Sequence, residues 1–178
     1  MKKTLNQVLV YLLAGLIVLG DQYSKHLVRT QLEINQTWNP WPALTPYVRI
    51  LHIQNTGAAF GLFKDASLIF TVIAIVVSLV IIVYAQRVPP GHWFMRIALG
   101  MQLGGALGNL IDRLTFGTVT DFISVGNFAI FNIADASISL GVAFLALLMF
   151  FESRNERGPA DTGSTLPGVD APELPSGG

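Results

Sequence analysis

The sequence has 178 residues, 52% hydrophobic and 12% charged, with 11 Lys+Arg balancing 11 Asp+Glu and a mean hydropathy of +0.55. A soluble domain carries about 25% charged residues, so this composition excludes a disordered chain, a nucleic-acid binder and an ordinary cytosolic enzyme, and leaves a small integral membrane protein. The absence of cysteine removes disulfides, thiolate nucleophiles, iron–sulfur clusters and Cys-type zinc sites.

A helix crosses the hydrocarbon core with about 20 mostly apolar residues. The first span is expected over residues 5–24, with helix continuing through Arg29. Lys2 and Lys3 ahead of an apolar run also look like a secretory signal peptide. No A-x-A site follows, and the run leads directly into Gly20-Asp21-Gln22-Tyr23-Ser24-Lys25, so an uncleaved span is expected. Residues 30–67 contain Pro40, Pro42 and Pro46, the aromatics Trp38, Trp41 and Tyr47, and a short apolar alternation over Tyr47–Ile53. They predict a small extracytoplasmic β-rich element with aromatics at the membrane interface.

The second span, 68–86, contains no charge and is closed by the breaker Pro89-Pro90-Gly91. The third, 93–114, has Arg96 near its start and a polar cluster at its end. Residues 115–132 form a second outer link with another Val/Phe/Ile-rich run, and the fourth span covers 133–151. The expected fold class is thus an all-α membrane protein of four transmembrane helices with a small extracytoplasmic β-rich element, residues 1–152 forming one domain. Residues 153–178, rich in Pro and Gly and poor in large apolar side chains, are expected to be a disordered cytoplasmic tail.

Orientation follows the Lys/Arg bias near span ends. An inside N terminus puts Lys2, Lys3, Arg87, Arg96, Arg154 and Arg157 in the cytoplasm, against Lys25, Arg29, Arg49, Lys64 and Arg113 outside. The margin is narrow, and it widens if Lys25 and Arg113 are site residues. With both termini inside, the two longer links share the outer face. Asp21, Lys25, the Gln54-Asn55-Thr56-Gly57 run, Asn109, Asp112, Arg113, Asp121, Asn132 and Asp135 then all fall at that face. Ionisable groups beside a span are costly and mark function by default.

Asp21 and Lys25 have the i,i+4 acid-before-base spacing, which also suits simple mutual neutralisation at the membrane boundary. Gly100, Gly104 and Gly108 share a helix face with Asp112, while Gly105, Asn109 and Arg113 form the adjacent stripe. The glycines are expected to serve close helix packing. Asp121 and Asp135 are separated by a stretch containing Gly126 and the β-prone Phe128–Phe131. A fold-back there would let two carboxyls share a proton, one acting as general base and one as general acid. Equally, Asp121 would cap a turn and Asp135 would satisfy amides in a helix's first turn. Spacing alone leaves both readings open.

Other chemistries find no support. There is no H-E-x-x-H, and His26, His52 and His92 do not pair at metal spacing. No serine or histidine sits in a nucleophile motif, and no phosphate-binding glycine loop follows a strand. No metal or cofactor is expected. Two further classes stay open: a proton- or ion-conducting membrane protein, which would need polar groups at several depths, and a non-catalytic assembly factor packing through its glycine ladder.

Five blocks carry a resemblance: Gly20-Asp21-Gln22-x-Ser24-Lys25, Asn55-Thr56-Gly57-Ala58-Ala59-Phe60, Gly105 through Asp112-Arg113 (GALGNLIDR), Val119-Thr120-Asp121-Phe122, and Phe131-Asn132-Ile133-Ala134-Asp135. In this order they resemble the motifs of bacterial lipoprotein signal peptidase (signal peptidase II) over about residues 5–151. The resemblance implies a four-span aspartyl endopeptidase of the bacterial inner membrane, with a periplasm-side β-cradle. Its substrate would be a prolipoprotein already carrying diacylglycerol on a cysteine, cut just before that cysteine. Asp121 and Asp135 match the catalytic pair. Asn55, Gly57, Asn109, Arg113 and Asn132 match positions that line the substrate site or hold the pair. Asp112 is then a supporting acid, and Asp21 and Lys25 are structural or stand behind the site; Thr120 matches a variable position. Membrane lipids are the other expected partners, no nucleic acid is expected, and a monomer is expected.

Overall fold

The computed structural model describes residues 2–57 and 66–156. Ala58, Ala59, Phe60, Lys64 and the expected tail from residue 157 onward lie outside the described residues. The chain runs through helix α1 (Lys2–Gln31), strand β1 (Thr37–Trp38), a single 3₁₀ turn over Pro42–Leu44, strand β2 (Val48–Asn55), helix α2 (Ala66–Arg87), helix α3 (Trp93–Phe116), strand β3 (Val119–Val125) and helix α4 (Ile133–Glu156). The last helix extends past Phe151, where the apolar run stops.

Three of these helices are long and apolar enough to cross a membrane, over Gln7–Gln31, Ser67–Arg87 and Ile133–Phe151. The expected third span, 93–114, is helical but is not among them: α3 has 24 residues yet carries Arg96, Gln102, Asn109, Asp112 and Arg113. Its polarity has a packing reason. Helix α3 lies against α1, α2 and α4, and 12 of its residues are buried, including Arg96, Asn109 and Asp112. The side of a helix that meets protein need not match lipid.

Glycine makes that enclosure possible. A Cβ on Gly100 would stand 3.0 Å from the Val10 carbonyl oxygen, and one on Gly104 would stand 2.9 Å from that of Ala14, so these two glycines admit the backbone of α1. A Cβ on Gly105 would collide with the Ala134 carbonyl oxygen of α4. The glycine stripe is therefore the packing surface its spacing suggests. Around it, Val10, Ala14, Ile81, Ala85, Val88, Leu99 and Leu103 form a dry core.

The two outer links combine into one antiparallel sheet of order β1-β2-β3. The alternation over Tyr47–Ile53 becomes β2, which pairs Arg49 with Ser124 and Ile53 with Asp121, with an irregularity in register between Ile50 and Ile53. Phe131 closes the other edge of β3, where its N–H donates to the Ile123 carbonyl at 3.0 Å. The β-prone stretch thus forms a bridge at Phe131 and not a further strand.

Candidate active site

Asp21 and Lys25 lie one turn apart near the sheet end of α1, and both are fully buried. Lys25 Nζ is 2.7 Å from Asp21 Oδ2, 3.2 Å from Asp112 Oδ2 and 2.9 Å from Asn109 Oδ1. An ammonium has three donors, and each has its acceptor. The other oxygen of Asp21, Oδ1, accepts the Ala134 N–H of α4 at 2.9 Å. Gly108 makes room for this carboxylate, since a Cβ there would stand 2.7 Å from Asp21 Oδ2.

Asp112 is the second hub of the cluster. Its Oδ1 accepts from Gln22 Nε2 at 3.0 Å and from Arg29 Nη1 at 3.3 Å, while Oδ2 accepts the Thr120 N–H at 3.0 Å. Two cations and two neutral donors hold this carboxylate, which is 0% exposed. Such an environment fixes the carboxylate in place and pairs its charge.

Asp121 and Asp135 are served differently. Asp121 Oδ1 accepts from Asn132 Nδ2 at 2.7 Å, and Oδ2 accepts from Asn55 Nδ2 at 2.8 Å. Asp135 Oδ1 accepts from Asn109 Nδ2 at 2.7 Å. Asn132 stands at the N-cap of α4: its Oδ1 accepts the Asp135 N–H at 2.9 Å, and its own N–H donates to Asp135 Oδ2 at 3.3 Å. That is a reciprocal capping box. Asn132 therefore links the two acids, which the fold-back from β3 to α4 brings into one network. Among the described residues neither makes an ion pair; neutral amides are their direct hydrogen-bond donors.

The remaining matched residues complete the rim. Gly57 has φ of 82°, and its N–H donates to Asn55 Oδ1 at 2.7 Å; this turns the Asn55 amide nitrogen toward Asp121. A Cβ on Gly57 would also press within 2.5 Å of the Phe70 ring. Arg113 is half-buried, lies 5.5 Å from the Phe70 ring centroid, and feels the charges of Asp135 and Asp121 without bonding either. Asp121 is 2% exposed, and burial pushes its carboxyl up from 3.8 to about 6. The amide bonds from Asn55 and Asn132 and the charge of Lys25 lower it, while the Asp135 charge raises it further.

Two kinds of carboxylate thus share one cluster. Asp21 and Asp112 are locked by cations. Asp121, buried, and Asp135, half-buried, are held by neutral amide donors. Among the described residues no group of three or more His, Cys, Asp or Glu is arranged to hold a metal. His52 instead ties the sheet to Leu32, the residue just after α1, through Nδ1 and the Leu32 carbonyl, 2.9 Å apart.

Among the described residues, Asp21, Lys25, Asn55, Gly57, Asn109, Asp112, Arg113, Asp121, Asn132 and Asp135 all lie in this region. Gln22 and Arg29 were not singled out as site residues from sequence. A signal existed, because Arg29 continues the Asp21/Lys25 stripe by one more turn. Nothing in the sequence pointed to the hydroxyl of Thr120.

The sequence pattern of the signal peptidase (SPase) II family matches residues 13–151. The lipoprotein signal peptidase of Moorella thermoacetica is 38% identical over 136 residues, covering 76% of this chain and 89% of that protein. That of Bacillus subtilis is 38% identical over 153 residues, covering 84% and 97%. A bacterial membrane enzyme solved by the in meso method at 2.3 Å superimposes with a TM-score of 0.76 at 29% identity, covering 84% of this chain and 92% of that one. With a family pattern across most of its length and relatives matched nearly end to end, the chain belongs to the signal peptidase II family.

Proposed function

We propose that the chain is an intramembrane aspartyl endopeptidase of the bacterial inner membrane. It removes the signal peptide from diacylglyceryl-modified prolipoproteins, cutting just before the lipidated cysteine. The observation that carries this reading is the contrast between carboxylates: Asp121 and Asp135 share Asn132 and are held by neutral amides, while Asp21 and Asp112 are neutralised by Lys25 and Arg29. Only the first pair is held by neutral donors with no cation bound to it.

In this reading all four helices span the membrane, α3 being shielded by the other three, so that its Asn109 and Asp112 meet protein groups in place of lipid. Both termini are cytoplasmic, and the sheet and the carboxylates lie at the periplasmic face. Residues 1–152 act as one domain, and a monomer suffices. The signal-peptide helix enters laterally, and the apolar flanks of the spans receive the acyl chains.

The catalytic pair works with one proton between two carboxylates. The ionised member takes a proton from water as the oxygen attacks the scissile carbonyl, and the neutral member donates its proton to that carbonyl oxygen. The tetrahedral intermediate collapses as the amine leaves with a proton from the first carboxyl, and the hydroxyl proton returns to the second. Neither a metal nor a covalent acyl-enzyme is needed for this cycle. Asn132 and Arg113 orient the peptide backbone, and Asn55 and Asn109 hold the carboxylates.

The test is cleavage of a diacylglyceryl-modified prolipoprotein by purified protein in detergent. Asp121→Asn and Asp135→Asn are each expected to lower turnover by about 10³-fold or more while remaining folded. An inert Asp112→Asn beside an active Asp121→Asn would overturn the assignment.

A further inference from the structure

Thr120 immediately precedes Asp121 in β3 and is only 3% exposed, so it is screened from any substrate. Each of its three polar groups is nevertheless tied to a different helix. Its N–H donates to Asp112 Oδ2 of α3 at 3.0 Å. Its carbonyl accepts from Asn132 Nδ2, at the cap of α4, at 3.4 Å. Its hydroxyl accepts from Arg29 Nη1, in the last turn of α1, at 3.1 Å. The first two ties are made by backbone atoms, which any residue at this position supplies. The third requires a hydroxyl.

Arg29 is itself anchored for the purpose. The same Nη1 lies 3.3 Å from Asp112 Oδ1, and the guanidinium stacks 4.5 Å from the Phe116 ring centroid. Its side chain is 19% exposed, so this fork is largely withdrawn from solvent. Successive side chains in a strand point to opposite faces. A twist of the backbone at Thr120 is therefore passed directly to the direction of the Asp121 carboxylate.

We propose that the Arg29–Thr120 hydrogen bond is a positioning clamp for Asp121. The end of α1 fixes the rotation of β3, and that rotation aims the Asp121 carboxylate at Asn55 and Asn132. Arg29 and Thr120 are positioning residues that act on the chemical step and leave substrate affinity alone. The inference rests on Asp121 belonging to the catalytic pair.

Thr120→Val removes the hydroxyl at nearly constant shape and leaves the Arg29–Asp112 contact in place. It is expected to lower kcat by about tenfold with KM unchanged, because small misplacements of a reacting group are felt in the rate. Thr120→Ser, which keeps the hydroxyl, should stay within about twofold of wild type by the same logic. Arg29→Gln should also lower kcat, and adding Thr120→Val to it should cost nothing more, since the two act through one bond. Wild-type kcat in Thr120→Val, with or without a lower Tm, would overturn the clamp, as would losses in the two single variants that multiply in the double. Asp121→Asn, run alongside, separates the two ideas: if it stays active the catalytic reading fails, whereas if it is inert and Thr120→Val is fully active only the clamp fails.

Discussion

The two halves of α3 bury their residues by different physics. In the first half, Leu99 and Leu103 pack with Val10, Ala14, Ile81, Ala85 and Val88, and the glycines admit the α1 backbone. Apart from Arg96, which donates to the Val88 carbonyl at 2.6 Å, shape complementarity does the holding. In the second half, Asn109 and Asp112 are buried just as deeply, but hydrogen bonds and charge hold them to α1, β3 and α4. A dry interface accepts any filling of similar volume. A polar one accepts only partners that satisfy its donors and acceptors, because a stranded charge cannot turn to water.

Placing methionine at a side chain from each interface, Lys25 of α1 against the polar half and Leu103 in the dry half, sharpens that contrast. Lys25→Met leaves Asp21 and Asp112 without the cation they share, and should cost about 3–5 kcal/mol in thermal or chemical denaturation in detergent. A loss below about 1 kcal/mol, as for an exposed pair, would mean that the polar half is wetter than its burial indicates. Between the extremes lies the titration of Asp121. Its folded carboxyl is raised from 3.8 to about 6, so the folded state holds the proton more tightly than the unfolded one. Wild type therefore loses stability as pH rises from about 4 to about 6, by up to about 3 kcal/mol, and the penalty is complete above that range. Asp121→Asn has no such titration, so its Tm advantage over wild type should grow between pH 4 and pH 7. An advantage that shrinks over this interval would contradict the burial-driven shift. At the small end, Leu103→Met should cost less than about 1.5 kcal/mol and leave turnover intact. A larger loss would show that the dry half is as exacting as the polar one.

The same division explains what could be read in advance. The apolar runs announced α1, α2 and α4, because lipid-facing surfaces must be apolar along their length. Helix α3 was legible as a helix and was expected to be a span, but it falls short of the apolarity of the other three, because much of its surface meets α1, α2 and α4. The glycine stripe was legible because i,i+4 spacing is a local property. The pairing of Asp121 with Asp135 stayed ambiguous on spacing: Asp135 does satisfy the Asn132 N–H at the start of α4, as the bland reading held, and it also joins the network of Asp121. Asp121 lies inside β3 and caps no turn there, so the capping part of the bland reading holds for Asp135 alone. The Arg29 bond to Thr120 joins residues 91 positions apart, and no local periodicity encodes such a contact.

The bond from the Ala134 N–H to Asp21 spans 113 positions of chain. It closes the first orphan turn of α4 with a carboxylate from α1. A nascent chain that has not yet delivered Ile133–Asp135 lacks Asn132's cap partner, the partner of Asn109, and the acceptor-seeking amide that Asp21 awaits. The network that joins the acids is therefore complete only with the last helix in place. A chain cut short before Asn132 leaves Asp21, Asn109 and Asp121 each without a partner that α4 or its cap supplies.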